Sequence, residues 1–113
     1  MPFDGGLPRR RHTHASRVAL KALHLIRTPN RWCQNEQQQF TFRPPFKQRC
    51  LLGAIADATH RWGCINEVLP AATTQANHRG YQTIEAFNDH PGRTHPEVVR
   101  FLEDLSWHLM ERL

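Results

Sequence analysis

The fold is decided by the stretch Cys50-Leu51-Leu52-Gly53-Ala54-Ile55-Ala56-Asp57-Ala58. It is apolar on nearly every side of a helical projection, which predicts a helix buried on most of its surface. A glycine inside a helix costs about 1 kcal/mol relative to alanine, so Gly53 indicates that a neighbouring segment or a ligand approaches the helix closely there. We predict that this helix runs from Cys50 to Trp62, ends at Gly63 and forms the centre of the domain.

Apolar residues at helical spacing predict further helices on both sides of that stretch. The first begins near Ala15–Ser16 and ends at Thr28-Pro29, because the residue before a proline is disfavoured in the α region. Two more segments are expected over 64–76 and 81–87, and the apolar side of the first consists of Ile65, Val68, Leu69 and Ala72. The last helix has the clearest start, since Thr94-His95-Pro96-Glu97 has the spacing of a capping box and an apolar stripe follows it.

The segment between the first two helices contains strand and turn signals instead. Phe40-Thr41-Phe42 alternates as a short strand does, but Pro44-Pro45 excludes a central position in a sheet. We therefore predict a surface loop with at most one small β-hairpin near 38–46. The expected fold is all-α: a compact bundle of four or five helices around the central apolar helix, with the first and last helices packed on it. The alternative is an α+β fold that includes the hairpin.

The length of 113 residues fits one small domain. Residues 1–14 combine Pro, Gly and a basic cluster without periodicity, which predicts a disordered basic arm, and 15–113 then form a single helical domain. No apolar run approaches the roughly 18–20 residues of a membrane span, and residues 1–16 lack the apolar core of a signal peptide. The three cysteines therefore indicate reduced thiols in a cytoplasmic protein.

Charge is distributed unevenly along the chain. Up to Arg49 there are ten basic and two acidic residues, a net charge of +8, whereas the remainder has five basic and eight acidic residues, a net charge of −3. This asymmetry favours contact between the N-terminal part and a nucleic acid or another polyanion. The alternative is that the two halves neutralise each other in the folded domain. The candidate nucleic-acid contacts are Arg9, Arg10, Arg11, Arg17 and Lys21.

Three short motifs resemble those of a family of small bacterial and phage proteins, a domain of unknown function. The family pattern is Trp-x-Gln, then Cys-x-x-Gly-Ala, then Trp-Asn-Asp. This chain has Trp32-Cys33-Gln34, Cys50-Leu51-Leu52-Gly53-Ala54 and Phe87-Asn88-Asp89, so Phe87 stands where the pattern has Trp. The resemblance covers about Ala15 to Trp107 and implies no activity. It marks six residues: Trp32, Gln34, Cys50, Gly53, Asn88 and Asp89.

Cys50 is the candidate nucleophile. At the start of a helix, the helix dipole and the free amide N–H groups stabilise a thiolate. Either His90, with the adjacent Asn88 or Asp89 as the group that orients it, or His95 could serve as the base. The apolar neighbours of Cys50 favour the other interpretation, in which it is a small buried residue, and no family-specific nucleophile motif is present.

The loop before the last helix holds polar candidates for binding. Asn88 and Asp89 can bond nearby backbone amides and fix the turn, which is a structural role. Alternatively, Asp89, His90 and Arg93 form a polar cluster on a loop, where binding residues concentrate. With the motif residues, the candidate binding set is Trp32, Gln34, Asn88, Asp89 and Arg93.

Potential metal ligands are not spaced as in a metal site, since there is no Cys-x-x-Cys and Gly63 separates His60 from Cys64. We expect neither a metal nor a cofactor. The lack of a complete catalytic constellation, together with the uneven charge, predicts a small non-enzymatic binding or regulatory module that contacts a nucleic acid or a protein. The alternatives are a cysteine-dependent hydrolase or transferase using Cys50 and a structural subunit of an assembly.

Overall fold

A computed structural model describes residues 9–44 and 47–113 of the chain. Within these ranges the chain forms five α-helices and two small antiparallel sheets of two strands each. The helices are α1 (His14–Leu25), α2 (Leu51–Trp62), α3 (Ile65–His78), α4 (Ile84–Asp89) and α5 (His95–Leu109). The prediction of a mostly helical bundle with one small hairpin is confirmed. None of the described helices is long and apolar enough to cross a membrane.

Helix α2 lies in the core, as its apolar sequence predicts. Leu51, Ala54, Ile55 and Ala58 are fully buried, and the helix packs against α1, α3 and α4. The Sγ atom of Cys50 accepts a hydrogen bond from the Gly53 amide (3.2 Å) and caps the start of the helix. The prediction that the last helix packs on α2 is wrong, because α5 packs mainly on α1 and α3.

Helix α1 joins α5 to the rest of the core. It begins slightly earlier than predicted, because Thr13 caps it and exchanges hydrogen bonds with Ser16. Its buried face consists mostly of alanine and valine, which lets α5 approach closely. Polar atoms also meet there, since the Ser106 hydroxyl donates to the Ser16 carbonyl oxygen (3.0 Å).

Helix α3 differs from its predicted apolar face at one end. Val68 and Ala72 are buried as expected, but Ile65, in the first turn, is 51% exposed. Pro70 lies inside the helix. Gln75 connects α3 to α5, because its Nε2 atom donates to the Phe101 carbonyl oxygen (2.7 Å).

The hairpin leads directly into α2. Strand β2 (Gln38–Phe40) pairs with β3 (Lys47–Arg49), with Gln38 opposite Arg49 and Phe40 opposite Lys47. Phe40 and Phe42 are exposed, so these two side chains do not contribute to the core. Residues 45–46 of the predicted hairpin lie outside the described residues.

A second small sheet joins the two ends of the described chain. Strand β1 (Arg10–Arg11) pairs with β4 (Glu111–Arg112). The predicted disordered arm of residues 1–14 therefore differs from the structure at its C-terminal end, while residues 1–8 lie outside the described residues. Long-range contacts account for the difference: Arg11 forms an ion pair with Glu111, and the Thr13 hydroxyl donates to the Leu109 carbonyl oxygen (2.7 Å).

Candidate functional site

The side-chain amide of Asn88 connects three segments of the chain. Asn88 lies near the end of α4 and is fully buried. Its Oδ1 atom accepts hydrogen bonds from Trp32 Nε1 (2.7 Å) and from the Leu51 amide (3.0 Å). Its Nδ2 atom donates to the Cys33 carbonyl oxygen (3.2 Å) and to Asp89 Oδ1 (2.8 Å). One side chain thus holds the 32–37 loop, the start of α2 and the end of α4 together.

The neighbouring motif residues extend this network. Gln34 Nε2 donates to the carbonyl oxygens of Asn88 (2.9 Å) and His90 (3.1 Å). The Asn35 amide donates to Asp89 Oδ1 (2.8 Å). Four of the predicted binding residues therefore converge in one place, and their polar atoms bond to the protein itself. These four are Trp32, Gln34, Asn88 and Asp89.

Gly53 is required by the close approach of the same loop. A Cβ atom at this position would lie 2.2 Å from the carbonyl oxygen of Gln37, which is far inside van der Waals contact. That oxygen also accepts a hydrogen bond from the Cys50 amide (3.1 Å). The glycine in the first turn of α2 thus allows loop backbone, rather than another helix, to lie against it.

The thiols in this region are buried. Burial raises the pKa of the Cys50 thiol, the amides of Gly53 and Leu52 partly oppose this, and the charge of Asp89 adds to it. Burial, followed by the nearby Cys50, raises the pKa of Cys33 to about 11. Both environments favour the neutral thiol near neutral pH.

A small cavity of about 150 Å³ lies beside Cys50. Its lining includes the carboxylates of Glu36, Glu85 and Asp89. Carboxylates raise the pKa of a nearby thiol rather than activate it, since they repel the thiolate. Reactive cysteines lie in cationic surroundings, whereas the charged side chains that line this cavity are anionic.

The two candidate bases have other partners. His95 Nε2 donates to the Ile26 carbonyl oxygen (2.7 Å), and its ring lies 6.1 Å from that of Trp32. The His90 ring meets Tyr81 edge-on at 5.7 Å. Within the described residues, the hydrogen bond of the Cys50 thiol is with the Gly53 amide, and none links it to a histidine.

Arg93 lies apart from this network, in a cleft formed by α3, α4 and α5. Its side chain is only 8% exposed. The guanidinium donates to the Phe87 carbonyl oxygen (2.8 Å), the Tyr81 hydroxyl (2.7 Å) and Glu97 (2.9 Å). It also lies flat over the Phe87 ring, with Cζ 3.9 Å from the centroid.

A second candidate site is an exposed surface where α1 meets the end of α2. Arg17 and Lys21 lie on the solvent side of α1. The Lys21 ammonium is 4.6 Å from the centre of the Trp62 ring, and the Arg61 guanidinium is 5.4 Å from it. His14 fixes this end of α2, because its Nε2 atom donates to the Trp62 carbonyl oxygen (2.8 Å). A cavity of about 360 Å³ lies here, and its lining includes Leu20 and His24.

Two further cations adjoin this surface. A cavity of about 220 Å³ is lined by Lys47, Arg49 and Arg61 among others. Lys47 and Arg49 share the Asp57 carboxylate, at 3.5 Å and 2.5 Å. Burial raises the pKa of Asp57, but the Arg49 hydrogen bond and the Lys47 charge outweigh it, so the net pKa is lowered. We refer to Arg17, Lys21, Lys47, Arg49 and Arg61, with Trp62, as the basic face.

The basic residues of the N-terminal half are mostly unpaired. Of the ten up to Arg49, only Arg11, Lys47 and Arg49 form ion pairs in the part of the chain that the structure describes. Direct pairs with carboxylates of the second half therefore engage only three of these ten cations in the part of the chain that the structure describes. Arg9–Arg11 lie at the end of α5, where the Arg10 guanidinium stacks on Trp107 at 4.5 Å.

Sequence reasoning found Arg17 and Lys21 but missed Arg61 and Trp62. The available signal was a run of basic and aromatic residues, His60-Arg61-Trp62, at the end of a buried helix. Basic side chains are also favourable at that end of a helix, so the run by itself is ambiguous. Across residues 9–44 and 47–113, no three His, Cys, Asp or Glu side chains are arranged to hold a metal ion.

Comparison with known proteins gives one match. The model of a family described as "Family of unknown function (DUF6197)" matches residues 10–106. No curated protein and no solved structure matches the chain.

Proposed function

The chain belongs to DUF6197, a family of unknown function, and from its surface we propose that it is a non-enzymatic module that binds single-stranded nucleic acid through the basic face. The observation that carries this proposal is the arrangement of Arg17, Lys21 and Arg61 around Trp62. None of these three cations has a carboxylate partner among the described residues.

The composition of the basic face supports a polyanionic partner. It combines five cations with one carboxylate, Asp57, so its net charge of about +4 is close to the +5 of the whole chain. Its cations would neutralise phosphate groups and displace the counterions condensed on the nucleic acid, and the release of those ions favours binding.

The aromatic and apolar part of the basic face supports single strands over duplexes. Trp62 and Leu20 line the same cavity as Arg17 and Lys21. Exposed bases can stack on an aromatic ring while their phosphates meet the surrounding cations, whereas the bases of a duplex are already stacked. Of the candidate contacts in the sequence, Arg17 and Lys21 belong to this surface, and Arg9, Arg10 and Arg11 lie at the end of α5.

Fluorescence anisotropy with labelled single-stranded DNA and RNA tests the proposal. With about four phosphates contacted, raising the salt from about 50 to about 200 mM should weaken binding roughly 50-fold. Lys21→Gln and Arg61→Gln should each weaken binding severalfold at the lower salt. Arg100→Gln, which removes one positive charge from α5, is the matched control and should bind like the unaltered protein. Absence of binding at both salt concentrations, or equal effects of Arg61→Gln and Arg100→Gln, would overturn the proposal.

The alternative, a cysteine-dependent hydrolase or transferase using Cys50, has less support. The position of Cys50 at the start of α2 agrees with it, because two backbone amides lower the pKa of its thiol. Burial and the nearby carboxylates act in the opposite direction and raise that pKa overall. The polar network around Asn88 supports a structural role for the motif residues, which position the loop and α4 against α2.

A further inference from the structure

We propose that the cleft formed by α3, α4 and α5 binds a small organic phosphate of about the size of a nucleotide. The cleft has a volume of about 520 Å³, larger than the cavity beside Cys50 (about 150 Å³) and the two cavities at the basic face (about 220 and 360 Å³). Volumes of about 300–1,000 Å³ are typical of small-molecule sites. The cleft shares no residue with the basic face.

Three guanidinium groups line the cleft, those of Arg79, Arg93 and Arg100. They are accompanied by two carboxylates, Glu97 and Asp104, so the cleft has a net positive charge. A guanidinium presents parallel N–H groups that match two oxygens of a phosphate, which makes arginine the residue best suited to this ligand.

Two of these arginines have N–H groups that remain free to donate hydrogen bonds to a ligand. Arg79 Nη2 and Arg100 Nε both donate to Asp104, at 2.6 and 3.0 Å. Each guanidinium carries five N–H donors, and the described structure gives each of these two residues one side-chain hydrogen bond. One carboxylate therefore orients two guanidinium groups and leaves most of their N–H groups available.

Arg93 forms the rigid wall of the cleft. Its three hydrogen bonds, to Phe87, Tyr81 and Glu97, hold it in place. Arg79 contacts the same Phe87 ring, with Cζ 5.6 Å from the centroid. Glu97 is itself engaged, since its carboxylate accepts from the Thr94 amide (2.9 Å) and hydroxyl (2.8 Å). The carboxylates are thus fixed in place, and an incoming phosphate meets Arg79 and Arg100.

The flat groups of the cleft favour a ligand with a ring as well as a phosphate. Tyr81 lines the cleft beside the Arg93 guanidinium, whose Cζ lies 5.2 Å from the Tyr81 centroid. Planar guanidinium and phenol surfaces stack on planar ligands. A nucleoside monophosphate has both features, so adenosine 5′-monophosphate is a suitable probe.

Titration of the ¹⁵N-labelled protein with adenosine 5′-monophosphate, followed by NMR, tests the proposal. Saturable shifts are expected at the amides around Tyr81, Arg93 and Arg100, with a Kd of about 1 mM or below. Adenosine, which lacks the phosphate, should bind at least about tenfold more weakly. Inorganic phosphate should shift the resonances near Arg100 but bind more weakly than the complete nucleotide.

Two variants and a control distinguish nucleotide binding in the cleft from non-specific attraction to positive charge. Arg79→Gln and Arg100→Gln should each weaken nucleotide binding about tenfold, as expected for the loss of a charge-assisted hydrogen bond. The Arg100 side chain is 73% exposed, so its replacement should leave the fold intact even if that of Arg79 does not. Arg43→Gln, at an exposed position outside both the cleft and the basic face, should have no effect.

The result that would overturn the proposal is the absence of saturable shifts, or equal affinity of the unaltered protein and Arg100→Gln. The basic face is tested by different substitutions, Lys21→Gln and Arg61→Gln, neither of which lines the cleft. Failure of one proposal is therefore distinguishable from failure of the other.

Discussion

At the scale of single residues, the hydrogen bonds made by the side chain of residue 88 explain why an asparagine occupies this buried position. Its oxygen accepts from two donors, Trp32 Nε1 and the Leu51 amide, and its nitrogen donates to two acceptors. An aspartate could not donate to the Cys33 carbonyl oxygen, and an apolar side chain would leave three of these four partners unpaired, all except Asp89. Buried polar groups without partners are expensive, so the geometry specifies asparagine.

Asn88→Ala should lower the free energy of unfolding by about 3 kcal/mol, because it leaves the Leu51 amide, Trp32 Nε1 and the Cys33 carbonyl unpaired. Urea denaturation followed by circular dichroism measures this change. Asn66→Ala, at an exposed position of α3, is the matched control and should change the stability by less than about 0.5 kcal/mol. A loss no larger than that of the control would show that the network contributes little to stability.

Cysteine reactivity distinguishes the two interpretations of Cys50. Cys33 and Cys50 are buried and have raised pKa values, whereas Cys64 is partly exposed. Alkylation with iodoacetamide at neutral pH should therefore modify Cys64 first, with Cys33 and Cys50 reacting only when the protein opens. Mass spectrometry of the digested protein measures the three rates. Faster modification of Cys50 than of Cys64 would contradict this expectation and support the hypothesis of a cysteine-dependent enzyme.

At the scale of elements, Asp57 ties the hairpin to α2. Its carboxylate faces Lys47 and Arg49 of β3, and the net effect of its surroundings is a pKa below the ordinary 3.8. Since the pKa is lower in the folded than in the unfolded state, the ion pairs stabilise the fold fully above 3.8. That stabilisation is lost as the pH falls through the lower folded value.

The pH dependence of stability should therefore change in Asp57→Asn. The free energy of unfolding of the variant should fall less steeply on acidification below about pH 4 than that of the unaltered protein. At neutral pH the difference should be below about 1 kcal/mol, because the Asp57 side chain is 42% exposed and solvent screens the pairs. Denaturation midpoints measured across the acidic range provide the test, and parallel profiles would contradict it.

Elements with strong local signals could be predicted from the sequence. Helix α5 begins at the predicted capping box, and α2 extends to the predicted stop at Gly63. The partners of these helices could not be predicted, because packing depends on contacts between distant segments. The small side chains of α1, for example, contact both α2 and α5, but the sequence predicts only the contact with α2, because nothing in their spacing indicates a second partner.

The same distinction between local signals and contacts of distant segments applies to the candidate sites. The motif residues Trp32, Gln34 and Asn88 are far apart in sequence, and their meeting depends on the hydrogen bonds that the fold brings together. Likewise, Lys21 and Trp62 belong to different helices, so their contact follows from the packing of α1 on α2. The chemical types of these residues could be read from the sequence, but their partners could not.

At the scale of the whole molecule, the uneven charge along the sequence produces an uneven distribution of charge on the surface. The five cations of the basic face come from α1, β3 and the end of α2. Three of the six ion pairs of the described residues instead lie within the C-terminal half, among Arg79, Arg93, Arg100 and their partners on α5. The basic face therefore concentrates a net charge of about +4, most of the overall +5, at the place that a polyanion would meet.

The pairing of β1 with β4 sets the geometry of anything attached to this protein. Arg10 lies opposite Arg112 across the ladder, so the backbones of the two extremities run about 5 Å apart. Reporter domains attached at residues 9 and 113 would start side by side and give efficient energy transfer while the ladder is closed. A short linker from residue 113 back to residue 9 would convert the chain into a ring without rearranging the helices.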